Sequence, residues 1–222
     1  MEYILRDFFE KKTEININEK LFFRNYLMDS SFMAEYINQL CTIPISSFID
    51  YIISNCSVDY MTFPDVVQFS SLEDATTGIC IVLSEFSDGL HNIDVGRKLL
   101  NDGKERKDGA LRKYGENHAK TAIELGLVQE SSGCYYLSCL GECFNSLTSE
   151  QQHHLLSRTI LRNRFFQKLL IKAQKGQVSI KSEMSFLAES TQKRRLPNVK
   201  AFFNILRNEG ELIKPYIKNI EI

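Results

Sequence analysis

Two stretches of this chain share one pattern. "AIELGLV" at 122–128 and "ILRNEGELI" at 205–213 each close an apolar helical run with Gly and place an apolar pair beyond it. A residue free to adopt positive φ at that point ends a helix, and the apolar pair after it enters a strand. The helices so ended carry one apolar face each: Leu111, Tyr114, His118, Ala122 and Leu125 in the first, Leu196, Val199, Phe203 and Leu206 in the second.

What precedes and follows each helix sharpens the pattern. "TTGICIVLSEF" (76–86) predicts a helix capped by Thr76 or Thr77, although its β-branched run also fits a strand. "IDVGRKLL" (93–100) is a short helix, "NDGKERKDG" (101–109) a charged loop, and "ALRKYGENHAKTAIEL" (110–125) the longer helix. "LVQESSGCYYLS" (127–138) then reads as a hairpin turning at Ser-Ser-Gly. Helix, helix, longer helix, hairpin is the order of a winged helix-turn-helix.

The second half offers a similar order. Residues 148–176 predict a long helix or a helix pair closed by Gly176, and 179–190 a shorter helix capped by Ser179 or Ser182. "STQKRRLPNVKAFFNILRNEGEL" (190–212) follows, and "ELIKPYIKNIEI" (211–222) reads as two β-like runs around Pro215. Upstream, "NEKLFFRNYLM" (18–28) and "SFMAEYINQLC" (31–41), the latter capped by Ser30 or Ser31, are helical in pattern, and Pro44 opens "ISSFIDYIISN". The expected fold is mainly α with small β-wings: an acidic α-helical region at 1–75 and two winged helices at 76–147 and 148–222, a weak internal repeat.

Charge is divided along the same line. Residues 1–96 hold 5 Lys/Arg against 15 Asp/Glu, a net of −10, and the remainder holds 22 against 13, a net of +9. The overall net of −1 hides this asymmetry. A basic half is a candidate for a polyanion partner, the alternative being that the halves neutralise one another. The longest uncharged apolar runs, such as "GICIVL" (78–83), are too short to span a bilayer, and the acidic N-terminus is unlike a signal peptide, so a soluble cytoplasmic protein without a membrane partner is expected. The six cysteines form no CxxC pair. Cys134, Cys139 and Cys143, with His153 and His154, lack the paired spacing of a zinc site, and buried thiols are the better reading.

In a helix-turn-helix the second helix enters the major groove and needs Arg, Lys, Asn or Gln in its first turns, with flanking cations on phosphates. The second unit offers Lys193, Arg194, Arg195, Asn198, Lys200 and Arg207, with Gln192 beside them; the first offers Lys104, Arg106 and Lys107 in the loop, then Arg112, Lys113, Asn117 and Lys120. A merely solvated face is the competing reading, stronger for the first unit, where Glu105, Asp108 and Glu116 dilute the field. His118 and Tyr114 are expected to pack inward. Pro197 poses a choice: either the helix starts near Leu196, leaving Lys193 to Arg195 in the turn, or it runs through and bends. Asn198 and Lys200 are then the better candidates for the groove.

Catalytic patterns are scarce. The segment 63–86 has carboxylates without the (Asp/Glu)-x-Lys triplet of a metal-dependent nuclease, and His153–His154 have no carboxylate at zincin spacing. No phosphate-binding Gly-rich loop or Gly-x-Ser-x-Gly elbow occurs, so no catalytic residue, metal or cofactor is expected.

"RKYGENHAKTAIELGLV", "YYLSCLGECFNSL", "ILRNRFF" and "ESTQKRRLPNVKAFFNIL" together resemble the tandem winged-helix modules of bacterial restriction-modification and related defence proteins, including the recognition domains of some type IIS restriction endonucleases. The resemblance covers roughly residues 76–220. Its most specific piece is Ser190-Thr191, the Arg194-Arg195 pair and Val199 with an aromatic at 202; Asn198 stands where such segments often have Thr, and Phe202 where they often have Trp. It implies double-stranded DNA binding without catalysis in this part, the cutting left in such proteins to a separate nuclease domain. The acidic N-terminal region would then face a protein partner, a second copy of the chain, or a separately encoded nuclease subunit. The alternatives are a dimeric winged-helix transcriptional regulator, a protein-protein adaptor, and an unrecognised metal-dependent endonuclease of the type II restriction class.

Overall fold

The computed structural model describes residues 1–10 and 30–221, the side chains of 30–32 excepted. The helix expected at 18–28 and the cap expected from Ser30 or Ser31 lie outside what is described. Among the described residues the fold is mainly helical with two small sheets. In order it forms α1 (Glu2–Phe9), α2 (Ser30–Thr42), α3 (Ile45–Asn55), α4 (Ile79–Ser84), β1 (Leu90–His91), α5 (Asn92–Leu99), α6 (Asp108–Glu124), β2 (Val128–Ser131) and β3 (Cys134–Leu137). There follow α7 (Cys139–Phe144), α8 (Ser149–Ile160), α9 (Arg164–Ala173), β4 (Val178–Ser179), α10 (Ile180–Glu183), α11 (Glu189–Arg207), α12 (Lys214–Ile217) and β5 (Ile220–Glu221).

Two compact units are built from these elements, and each draws on separate stretches of chain. One comprises Gln39–Gln68 and His153–Ile222 with Met1; the other comprises Glu2–Asn38 and Phe69–Gln152. Beyond residue 39, their borders fall near 68/69 and 152/153.

In the unit holding residues 69–152, a π turn at Asp74–Gly78 runs directly into α4. Thr76 is therefore inside the helical path. Its buried hydroxyl donates back to the Leu72 carbonyl at 2.8 Å, so neither it nor Thr77 opens a helix as expected. α5 and α6 cross at Gly96 and Gly115, where a β-carbon on Gly96 would sit 2.0 Å from the Leu111 carbonyl oxygen. α6 buries Leu111, His118 and Ala122 as its periodicity predicts. It ends in a Schellman motif: Gly126 has φ +74°, its N–H bonds the Ile123 carbonyl, and the Leu127 N–H bonds that of Ala122. The hairpin follows, with Val128 opposite Leu137 and Ser131 opposite Cys134, turning through Ser132 and Gly133 at φ +52° and +78°. β3 is central, flanked by β2 and by β1 in an antiparallel sheet ordered β1-β3-β2. The Ser138 hydroxyl accepts from the Gly141 N–H at 2.9 Å to start α7 and donates to the Gly126 carbonyl at 2.5 Å.

The other unit packs α3, α9 and α11 around Phe48, Phe165, Phe166, Phe202 and Phe203, all essentially inaccessible; the Phe166 and Phe203 rings lie 4.9 Å apart. Residues 148–176 form two helices, because the Asn163 side chain caps α9 by accepting from the N–H groups of Phe165 and Phe166. Its amide donates to the Asp65 carbonyl at 3.0 Å. The short helix α10 begins after Ser179, but no hydroxyl caps it. Beyond α11 the expectation of two β-like runs fails. Gly210, at φ +73°, leads into a 3₁₀ turn and then α12, which accommodates Pro215 in its first turn where a missing N–H costs nothing. Of the described residues beyond α11, only Ile220–Glu221 form a strand, which pairs in parallel with β4 rather than as a hairpin.

Candidate nucleic-acid interface

α11 is one continuous helix from Glu189 to Arg207 with Pro197 inside it, so the start near Leu196 is excluded and Lys193 to Arg195 are helical residues. Pro197 has no N–H to offer the Lys193 carbonyl, a loss tolerable here because the residue faces solvent. The opposite face buries Val199, Phe202, Phe203 and Leu206.

The solvent-facing stripe of α11 holds Lys193, Arg194, Pro197, Lys200, Asn204 and Arg207, at successive three- and four-residue spacings except between the first two. Arg194, Lys200 and Arg207 make no ion pair with a described residue. Lys193 bridges Glu189 at 2.9 Å on an exposed surface, a pairing worth at most about 1 kcal/mol and easily exchanged for another anion. Asn204 was not singled out from the sequence; counting three and four residues on from Arg194 through Pro197 and Lys200 reaches it.

Two candidates leave this surface. Arg195 is only 4% exposed. Its Nη1 donates to the carbonyl of Phe63 at 2.5 Å and to that of Val66, and its Nη2 donates to Gln68 Oε1 at 3.2 Å. The Phe63 ring covers its guanidinium with 3.7 Å between centroid and Cζ. Burial and the neighbouring Arg194 charge bring its pKa down to about 10, which still leaves it charged at neutral pH. Asn198 is likewise buried at 5% exposure, on the packed side of the helix. Arg195 therefore anchors the 63–68 segment, and Asn198, expected to enter the groove, faces inward with it.

On α6, Arg112, Lys113 and Lys120 are exposed and Asn117 half-buried, with exposed Lys107 just before the helix. Glu116 takes up Lys120 one turn away. In the loop, Arg106 grips Asp102 with two bonds of 2.5 and 2.7 Å, and Lys104 lies 3.8 Å from the same carboxylate. The Asp102 carboxyl is accordingly held well below the usual range, chiefly by the Arg106 hydrogen bonds. That leaves Lys107, Arg112 and Lys113 as the cations without a carboxylate partner among the described residues. The hairpin tip, "ESSGC" (130–134), carries no cation. His118 is fully buried: its Nδ1 bonds the Tyr114 carbonyl at 2.7 Å and its Nε2 accepts from the Ser71 N–H at 3.2 Å, which fixes a neutral imidazole. Tyr114 is half-buried, its hydroxyl on the Asp74 carboxylate.

His153 and His154 do meet a carboxylate, one supplied from far along the chain. Glu209 receives His154 Nδ1 at 2.9 Å and Arg158 Nη1 at 2.6 Å, together with the Ser157 hydroxyl. Arg158, 2% exposed, also donates to the carbonyls of Leu40 and Ile43 at 3.0 Å each. The carboxylate is engaged on several sides, and the cluster ties α8 to the end of α11 and to the 40–43 segment. Among the described residues, no group of three His, Cys, Asp or Glu is disposed to hold a metal ion. The imidazole beside Cys134 is that of His91, with its ring nitrogens 3.6 Å from the sulfur. No described helix is long and apolar enough to cross a membrane.

No protein-family description matches this chain, and no match is found among curated proteins or solved structures.

Proposed function

We propose that the chain is a double-stranded DNA-binding protein, sequence-specific and without catalysis of its own, in which α6 and α11 are the helices presented to the major groove. The observation that carries this reading is the exposed stripe of α11, where Arg194, Lys200 and Arg207 follow one another along a single face without a carboxylate partner among the described residues. Such a row matches a phosphate backbone, and Asn204 within it has the donor and acceptor that adenine requires.

The local topology supports the same reading. The order α4-β1-α5-α6-β2-β3, with sheet order β1-β3-β2, is compatible with a winged helix-turn-helix. α9-β4-α10-α11 repeats its first four elements, with β5 in place of a wing. Because the hairpin tip carries no cation and Arg106 and Lys120 are paired, the unit containing α6 contributes through Lys107, Arg112 and Lys113. A restriction-modification or defence setting, with a separate nuclease or a second copy as protein partner, follows from the resemblance alone.

The test is a salt titration of the full chain with a labelled random 20-base-pair duplex. Log K should fall linearly with log salt, and Arg194→Ala, Lys200→Ala and Arg207→Ala should each reduce the slope by about 1. An absence of salt-dependent binding at micromolar protein overturns the reading.

A further inference from the structure

Against the buried guanidinium of Arg195 lies the Phe63 ring, and three residues before it in the same segment stands Tyr60, two aromatic side chains that the fold leaves in solvent. Phe63 is 51% and Tyr60 72% exposed, although both belong to a segment that is otherwise tightly held. Thr62 and Asp65 form a reciprocal cap around the 3₁₀ turn Phe63–Asp65, with the Asp65 carboxylate accepting from the Thr62 N–H at 2.5 Å and from its hydroxyl at 2.6 Å. Pro64 stiffens the same turn. Arg164 donates to the Tyr60 carbonyl at 3.0 Å, and Arg195 binds the Phe63 and Val66 carbonyls. The Phe63 ring thus has a fixed guanidinium against one face while half its surface stays open, on a backbone with little freedom left to lose.

An aromatic face backed by an ordered cation and surrounded by arginines suits one ligand class. Arg164 bonds the Tyr60 carbonyl and the exposed Arg194 adjoins Arg195, while of the neighbouring carboxylates Asp59 is exposed and Asp65 is buried and turned onto Thr62. A planar nucleobase stacks on such a ring, and its phosphates pair with the flanking cations. Bases inside a duplex have both faces occupied by their neighbours and cannot use it. We propose that Phe63 and Tyr60 form a stacking platform for unpaired bases, so that the unit containing α11 also holds single-stranded DNA. The proposal deepens the DNA reading and rests on it for the nature of the partner.

The full chain should be titrated with a 12-mer of thymidylate, with a 12-mer abasic strand of equal charge, and with the 20-base-pair duplex. The thymidylate strand should bind at least about tenfold more tightly than the abasic one. Phe63→Ala and Tyr60→Ala should each remove about tenfold from the thymidylate strand, leave the abasic strand and the duplex unchanged, and Phe63→Tyr should retain binding. Tyr60→Ala guards against a folding artefact, because Arg164 contacts only the backbone there. Equal affinity for the thymidylate and abasic strands overturns the platform, as does an equal loss on both in the two alanine variants. Loss of duplex binding in Arg194→Ala is read separately, so the duplex reading and the platform stand or fall apart.

Discussion

Gly115 meets Gly96 where α6 crosses α5, and a β-carbon built on Gly115 would lie 1.9 Å from the carbonyl oxygen of Asn92. The obstacle is backbone, which cannot rotate aside. Gly115→Ala must push two helices apart, and the expected cost is about 2–3 kcal/mol, read as a lowered urea midpoint. A loss under about 0.5 kcal/mol would show that the crossing yields more easily than this geometry allows.

The Arg158–Glu209 pair, with both side chains nearly inaccessible, is the second pressure point. Glu209→Ala strands a buried guanidinium, for which the expected destabilisation is about 3–5 kcal/mol. Burial pushes the Glu209 carboxyl up, yet hydrogen bonds from Ser157 and His154 and the charge of Arg158 outweigh it and hold it below the usual value. Its contribution is therefore fully present above about pH 4.5 and is lost as pH falls through the lower folded value. Urea midpoints from pH 6 down to pH 3 should decline in the wild type, and more shallowly in Glu209→Ala.

A separate window belongs to His118, whose pKa lies below its ordinary value first because it is buried. Below about pH 6.5 the unfolded chain takes up a proton that the folded chain resists, so stability falls from pH 7.5 to pH 5.5. His153 shifts the same way, also chiefly through burial. His118→Leu should be less stable overall and should show a smaller difference between the two pH values. An unchanged difference would remove His118 from the account.

Ser132 occupies the left-handed region at φ +52° beside Gly133. Asn tolerates that conformation better than Ser, and Asn-Gly is the favoured pair for a tight hairpin turn. Ser132→Asn should stabilise by about 0.5 kcal/mol, a small rise in thermal midpoint; a fall would contradict the turn assignment.

Adjacent arginines should separate stability from binding. Arg195→Lys cannot reproduce three directed bonds and a stacked plane, and should lower the melting temperature clearly. Arg194→Ala should leave melting within error while weakening duplex affinity. Equal melting temperatures for both variants would mean that the buried guanidinium is dispensable.

Local pattern carried part of this fold. The apolar face of α6, the Gly that ends it and the hairpin after it depend on residues within a few positions of one another, and those are legible in order along the chain. Arg195 looked like its neighbours because the carbonyls and amide that bury it belong to residues 63–68, more than 120 positions away. His154 gained its carboxylate in the same way, from Glu209 at a separation of 55. The end of the chain misled for a different reason: alternating apolar residues around Pro215 resemble strands, but Gly210 and a proline suited to a first helical turn favour α12, leaving only two residues to pair with β4. Helical phase could have removed Asn198 from the candidates, since it follows Arg194 by four but shares the buried sector with Val199 and Phe202.

Pro197 also divides α11 in time. With no amide at that position, the Lys193 carbonyl lacks its rung of the ladder, so the turn before Pro197 is held by the Arg195 side chain on residues 63–68, whereas the turn after it is seated on the aromatic core. Amide protons of residues 190–196 should exchange with solvent deuterium sooner than those of 199–206. Lys193 and Arg194 thus sit on a half of the helix whose position depends on one side chain, that of Arg195, while Lys200, Asn204 and Arg207 ride on the half whose register the packed aromatic rings keep.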